Sequence, residues 1–252
     1  MQHSLQQNRE NTGDNMLKKK VTICACASRQ FIDKDKMAVI AAMMENCGYE
    51  VHIEADLCKK AMLASQEMRD IASGTIMACY TRAICSNLNW LGIEAGQIID
   101  IRNSGYDEVF SQLGIDCSDT DNIPCKDKFA QIIKNFPSED GVDAWYPVLD
   151  KTRCTECGKC HDFCLFGVYS LQDGKVRVTQ PQNCKNNCPA CARMCPTKAI
   201  IFPKYGKSPI NGGTSEEETF NPDEMNKMYL ERLRIRLQQR KANTPLTKES
   251  NK

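Results

Sequence analysis

The chain has 252 residues, 41% of them hydrophobic, enough for one large domain or two smaller ones with separate cores. Its 33 lysines and arginines nearly balance 32 aspartates and glutamates, so its charge offers no basis for binding nucleic acid or an acidic membrane surface. Sixteen cysteines are the compositional feature that remains to be explained.

The opening MQHSLQQNRENTGDNMLKKK is polar and lacks the apolar core of a signal peptide, and residues 1–18 are expected to be a disordered tail. No stretch nears the roughly 20 apolar residues of a membrane span, so a cytoplasmic protein is expected. In that reducing compartment the cysteines argue against a disulfide scaffold and for metal or redox chemistry.

VTICACAS predicts a first strand, ending on Cys24 and Cys26. DKDKMAVIAAMMENCG then predicts a helix: Met37, Ile40, Met43, Met44 and Cys47 recur at helical spacing, and Gly48 stands at the C-cap position. Cys47 is thereby expected in the core. Further strands YEVHIEADL, GTIMACY and QIIDIRN alternate with helices CKKAMLASQEMRDIAS, TRAICSNLNWLG and GYDEVFSQLG. Strands separated by helices of this length make right-handed crossovers in a parallel sheet, so residues 19–136 are read as a Rossmann-like α/β domain.

Pro137, Ser138, Gly141 and Pro147 mark a linker over residues 137–149, and a small cysteine-rich α+β domain is expected over 150–204. YGKSPINGGTSEEETF makes residues 205–220 a second linker. An amphipathic helix is predicted over 221–242, with Asn221 as N-cap, Pro222 at the first position, early acids, late bases and a stripe of Met225, Met228, Tyr229, Leu233 and Leu237. It suits docking on its own protein or on a partner protein, and residues 243–252 are expected to be a disordered tail.

Residues 154 to 164 read CTECGKCHDFC, or C-x2-C-x2-C-x3-C, and residues 184 to 196 read CKNNCPACARMCP, or C-x3-C-x2-C-x3-C-P. Short loops between thiolates turn backbone amides towards the sulfurs, which suits a cubane iron-sulfur cluster, and two tight quartets fit zinc poorly. His161, beside Cys160, is superfluous as a ligand. Residues 148 to 204 closely resemble bacterial two-cluster ferredoxins, in which the fourth cysteine of each run ligates the other run's cluster. The resemblance implies one [4Fe-4S] cluster on Cys154, Cys157, Cys160 and Cys195, and another on Cys184, Cys188, Cys191 and Cys164. Two features depart from it: an extra residue between Cys184 and Cys188, and Leu165 where proline usually follows the fourth cysteine.

Loops that follow the strands of a parallel sheet open on one edge, the usual ligand edge. Cys24 and Cys26 end the first strand, Cys58 follows the second and Cys79 ends the third, so four thiols converge there. Each alone reads as a small buried hydrophobe. Four together favour a metal site, with a dithiol pair as the other alternative, although C-x-C is not the C-x-x-C of thioredoxin-like proteins. Cys85 is a fifth candidate, and Tyr80, Thr81 and Arg82 would line the same edge, Arg82 stabilising a reduced, negative centre. Cys117 and Cys125 have no assignable partner.

ICACAS, ADLC, MACYTRA and IIDIRN are similar to the N-terminal domain of the flavin-bearing subunit of heterodisulfide reductase. That likeness spans about residues 20 to 105. It implies a third iron-sulfur centre, held by Cys24, Cys26, Cys58 and Cys79, in an electron-transfer assembly of anaerobic metabolism. Ala27 stands where the family usually has glycine, and no G-x-G-x-x-G fingerprint for flavin or NAD occurs. The expected function is electron transfer between partner oxidoreductases through two [4Fe-4S] clusters and this third centre, without catalysis by the chain alone. The alternatives are a cysteine-dependent reductase of a disulfide or small molecule, with its active site on the α/β domain, and a cluster-assembly protein.

Overall fold

A computed structural model describes residues 19–115, 126–137, 144–214 and 234. Both expected tails, nearly all of the helix expected over 221–242, Cys117 and Cys125 lie outside the described residues.

Four strands, β1 (Lys20–Cys24), β2 (Glu50–Glu54), β3 (Thr75–Ala78) and β4 (Ile98–Asp100), form an entirely parallel sheet in the order β2-β1-β3-β4. The register sets Ile23 beside both Ile53 and Met77, and Ile99 beside Met77. Side chains alternate across the sheet. Val21, Ile23 and Ala25 pack with Met37, Ile40 and Met44 of helix α1 (Lys34–Asn46) and with Phe110 of α5 (Tyr106–Gln112). Cys24 and Cys26 fall in the core of the opposite face, with Leu57 and Ala61 of α2 (Leu57–Met62), Met68 of α3 (Glu67–Ala72), and Ile84 and Leu88 of α4 (Thr81–Trp90). A helix α6 (Lys126–Lys134) packs against α1.

Two expectations are overturned by this half of the fold. The helix expected over CKKAMLASQEMRDIAS is two helices, because Ala64 turns left-handed at φ 50°. The Ala64 and Ser65 amides then close on the carbonyls of Ala61 and Lys60. Cys47 is exposed rather than buried, since it is the C-cap of α1, where the helix has already left the sheet.

The second half is built from pairs. Strand β5 (Val148–Leu149) runs antiparallel to β8 (Ile200–Ile201), and β6 (Tyr169–Gln172) forms a hairpin with β7 (Lys175–Val178). Asp173 and Gly174, at φ 49° and 72°, supply the left-handed pair that a two-residue hairpin turn needs. Helices α7 (Lys159–Phe163) and α8 (Ala190–Met194) each end on a fourth cysteine with the same backbone, φ −72° and ψ 117° at Cys164, φ −72° and ψ 116° at Cys195.

The halves share a core. Residues 144–149 are buried, and Ala144, Tyr146, Val148 and Ile201 pack in the same cluster as Val21, Ile23 and Met37. Tyr146 Oη lies 2.7 Å from both the Cys58 carbonyl and Asn87 Oδ1, and Trp90 Nε1 donates to the Val178 carbonyl at 3.0 Å.

Candidate metal centres

Strand order places the crevice for a ligand between the carboxyl ends of β1 and β3, where the crossovers leave in opposite directions. Cys24 and Cys79 emerge there, and Cys26 follows two residues after Cys24 in a left-handed turn at φ 47°. Cys58 joins them from the first turn of α2, whose N-cap is Asp56: Asp56 Oδ1 accepts from the Cys58 and Lys59 amides at 3.0 and 3.3 Å. All four thiols are buried and act on one another electrostatically.

The groups around them are polar and specific. Lys204, at the end of AIIFPK in the second half, is only 2% exposed. Its Nζ stands 2.5 Å from Asp56 Oδ2 and 3.6 Å from Cys26 Sγ. Ser28 Oγ also donates to Asp56 Oδ2, and the Leu57 amide points at Cys24 Sγ from 3.5 Å. Burial pushes the Cys24 thiol up to about 12, with Cys26 and Asp56 adding their negative charge. Burial likewise raises Cys58. Cys26 goes the other way, because the Cys79 thiol donates to it and the Lys204 ammonium stands beside it; Cys79, as the donor, is raised.

Arg82 does not serve this edge. Its guanidinium is spent on Asp150 Oδ2 at 2.6 Å and on the carbonyls of Lys198 and Pro209, at the seam between the halves. Cys85 is half-buried, and the charge that acts on it is Asp150, not the four thiols. Tyr80 is buried nearby, with its hydroxyl accepting from Asn211 Nδ2 at 2.7 Å. Sequence reasoning missed Lys204 and Asp56. Their only local signals are a lysine closing an apolar run and an acid just before Cys58.

The eight cysteines of the second half separate into two sets. Cys154, Cys157, Cys160 and Cys195 line one pocket together with Leu149, Val176 and Ile200. Burial raises Cys160 to about 12, and the neighbouring thiols that add to this are Cys195, Cys154 and Cys157. Burial also raises Cys184 to about 12, where the contributing thiols are Cys164 and Cys188. Cys191 responds foremost to Cys184 and Cys164 among the thiols. Each fourth cysteine thus lies with the other run's three.

The extra residue between Cys184 and Cys188 is absorbed before Asn187. Both runs have a left-handed residue just ahead of the second cysteine, Glu156 at φ 54° and Asn187 at φ 57°. His161 is partly exposed and pairs with Asp162. Among the described residues no three His, Cys, Asp or Glu side chains are drawn together closely enough to hold a single metal ion.

Donors face these sulfurs. The Ala199 amide points at Cys195 Sγ from 3.2 Å, and Tyr169 Oη donates to Cys191 Sγ at 3.1 Å. Trp145 Nε1 is buried without a hydrogen-bond partner, yet it stands close enough to Cys184 to favour that thiolate. An orphaned donor beside a thiol set suits a group that brings additional sulfur acceptors.

No protein-family model matches the chain. Over 61 residues it is 51% identical to an uncharacterised ferredoxin of Methanocaldococcus jannaschii, a match that covers 24% of this chain and 42% of that one. Over 51 residues, 20% of this chain and 83% of the relative, it is 37% identical to a ferredoxin of Methanothermococcus thermolithotrophicus. The chain belongs to the ferredoxin family. Its ferredoxin segment is a ferredoxin-type iron-sulfur domain, and the sulfur-facing donors fit that group. A looser match, 25% identity over 121 residues, covers 46% of this ferredoxin and 60% of a thiosulfate reductase electron transfer subunit of Salmonella typhi. Among the described residues no helix is long and apolar enough to cross a membrane.

Proposed function

We propose that the chain is an electron-transfer protein that carries two [4Fe-4S] clusters in its ferredoxin segment and a third iron-sulfur centre at the crevice of the parallel sheet. Cys154, Cys157, Cys160 and Cys195 would hold the first cluster, Cys164, Cys184, Cys188 and Cys191 the second, and Cys24, Cys26, Cys58 and Cys79 the third centre. The observation that supports this reading is the pocket that Cys195 lines together with Cys154, Cys157 and Cys160 of the other run. Bound there, the clusters would supply reversible one-electron chemistry.

The chain's own residues tune that chemistry. Tyr169 Oη and the Ala199 amide stabilise negative charge on Cys191 and Cys195. Arg29, three residues beyond Cys26, donates to Asn187 Oδ1 at 3.2 Å and lies 5.7 Å over the Trp145 ring, so the loop carrying Cys188 adjoins the crevice of the sheet. That supports an order in which the second cluster, not the first, is nearest the third centre. Donor and acceptor oxidoreductases are the proposed partners and the cytoplasm the proposed location, with kinship to the N-terminal domain of the flavin-bearing subunit of heterodisulfide reductase and a role in anaerobic metabolism.

Iron and sulfide counts on anaerobically prepared protein test the reading, with EPR of single Cys→Ser variants. More than about eight irons per chain, falling in Cys24→Ser and Cys79→Ser, are expected. About eight irons, unchanged in those variants, would remove the third centre. A second reading is a thiol reductase, in which Cys26, held below the ordinary thiol value by Cys79 and the Lys204 ammonium 3.6 Å away, acts as the exchanging thiolate. Turnover of a small disulfide without any partner protein would favour that reductase.

A further inference from the structure

Lys204 reaches the thiol crevice from 146 positions beyond Cys58 in the chain. It is held firmly in place: the preceding Phe202 is fully buried and its amide donates to the Ile210 carbonyl at 2.7 Å. A buried ammonium loses its hydration, and an apolar side chain of similar length would fill the same space without that loss. Asp56 supplies the compensating charge at 2.5 Å, but a pair whose sole role is structural has no need to stand against a thiol. Lys204 Nζ stands 3.6 Å from Cys26 Sγ, and Asp56 reaches the same thiols through its cap of α2.

We propose that Lys204 and Asp56 form an opposed charge pair that sets the reduction potential of the four-thiol centre, Lys204 favouring the electron-rich state and Asp56 opposing it. The inference rests on the third iron-sulfur centre of the proposed function. Each electron taken up makes that centre more negative by one charge and the ferredoxin cluster that donates it less negative by one. A fixed cation against Cys26 stabilises the product of that transfer, and a fixed carboxylate destabilises it. Because β8 belongs to the ferredoxin segment, that segment supplies both the electron and the charge that receives it.

The test is an EPR-monitored redox titration of the full chain with its clusters in place. Lys204→Met is expected to lower the potential of the N-terminal centre by at least about 59 mV, a tenfold loss in a one-electron reduction equilibrium. Asp56→Asn, which keeps an oxygen for the α2 cap, is expected to raise it by a similar amount, and the double variant to return it towards the parent value. Lys204→Arg restores the charge and hence most of the potential. The ferredoxin clusters keep theirs in all four variants.

Shifts of the same sign in the two single variants, or no shift in either, would overturn the inference, because a merely structural pair has no reason to move the potential in opposite directions. If Lys204→Met does not assemble, Asp56→Asn decides: an unmoved or lowered potential refutes the proposal. An N-terminal centre that is present but indifferent to these substitutions removes the role of the charge pair alone. An iron count that Cys24→Ser leaves unchanged removes the centre, and the inference with it.

Discussion

Arg82→Met is expected to cost the protein about 3–5 kcal/mol, because it leaves Asp150 as an uncompensated buried charge. The side chains of Arg82 and Asp150 are 16% and 9% exposed, and their contact at 2.6 Å is reinforced by the guanidinium's bonds to Lys198 and Pro209 carbonyls. Arg153 stands 3.6 Å from the same carboxylate, but it is 46% exposed, so solvent screens it and it recovers little. In a chain of this size each kcal/mol moves Tm by about 2–4 °C, so the variant should melt roughly 6–20 °C lower. Anaerobic heating followed by fluorescence of Trp90 and Trp145 reads this with the clusters in place. Arg82→Met with Asp150→Asn removes both charges and should recover most of the loss. Burial alone would raise the Asp150 carboxyl, but hydrogen bonds from Thr152 and the Arg82 guanidinium hold it below the ordinary 3.8. A depressed carboxyl stabilises fully above its unfolded value and loses that contribution as pH falls through its folded one. The gap between parent and variant should therefore be constant from neutral pH to about 5 and narrow only in stronger acid. A loss under about 1 kcal/mol, or a double variant as unstable as the single, would refute the buried-charge argument.

Tyr169→Phe removes the hydroxyl donor to Cys191 and should lower the potential of the cluster on that run, at a stability cost of about 1 kcal/mol; redox titration and melting read the two separately. Cys47→Ser should leave stability within about 0.5 kcal/mol, whereas a loss above about 1 kcal/mol would restore Cys47 to the core. Ala64→Gly relieves the left-handed strain between α2 and α3 and should raise stability by about 1 kcal/mol, or roughly 2–4 °C in Tm; an unchanged Tm would count against that break.

Periodicity carried the sheet. β1 to β4 and the helices between them follow from apolar spacing, and the parallel edge follows from their alternation, so Cys24, Cys26, Cys58 and Cys79 were legible as one group. What periodicity could not carry was the break at Ala64, since alanine is an ordinary helix former and carries no signal for a left-handed turn. Cys47 sits at helical spacing yet falls past the last buried turn of α1, an end effect that spacing does not encode. Arg82 is misplaced at the crevice, and Lys204 missed, for a similar reason. Arg82 is near Cys79 in sequence, and chain proximity suggested a charge for the crevice; the ammonium actually there comes from the far side of the ferredoxin segment, through a contact between residues far apart in the chain.

The crevice is therefore assembled by both halves, which makes the α/β half dependent on the ferredoxin half. Cut at residue 136, it would lose Ala144, Tyr146, Val148 and Ile201 from its own core cluster, along with Lys204 against Asp56 and Asn211 against Tyr80. Tyr146 is fully buried, and its absence removes the single hydroxyl proton shared between the Cys58 carbonyl and Asn87 Oδ1, along with the packing of its ring. Asp56 loses its ion pair with Lys204 at the same cut. A typical domain is stable by only about 5–15 kcal/mol, so the loss of several fully buried side chains from one core is enough to remove its cooperative fold. Residues 1–136 produced alone should lack a cooperative thermal transition, while the chain to residue 214 should retain one. A sharp transition in the shorter fragment would show that the parallel sheet closes its core unaided and that the second half only rests upon it.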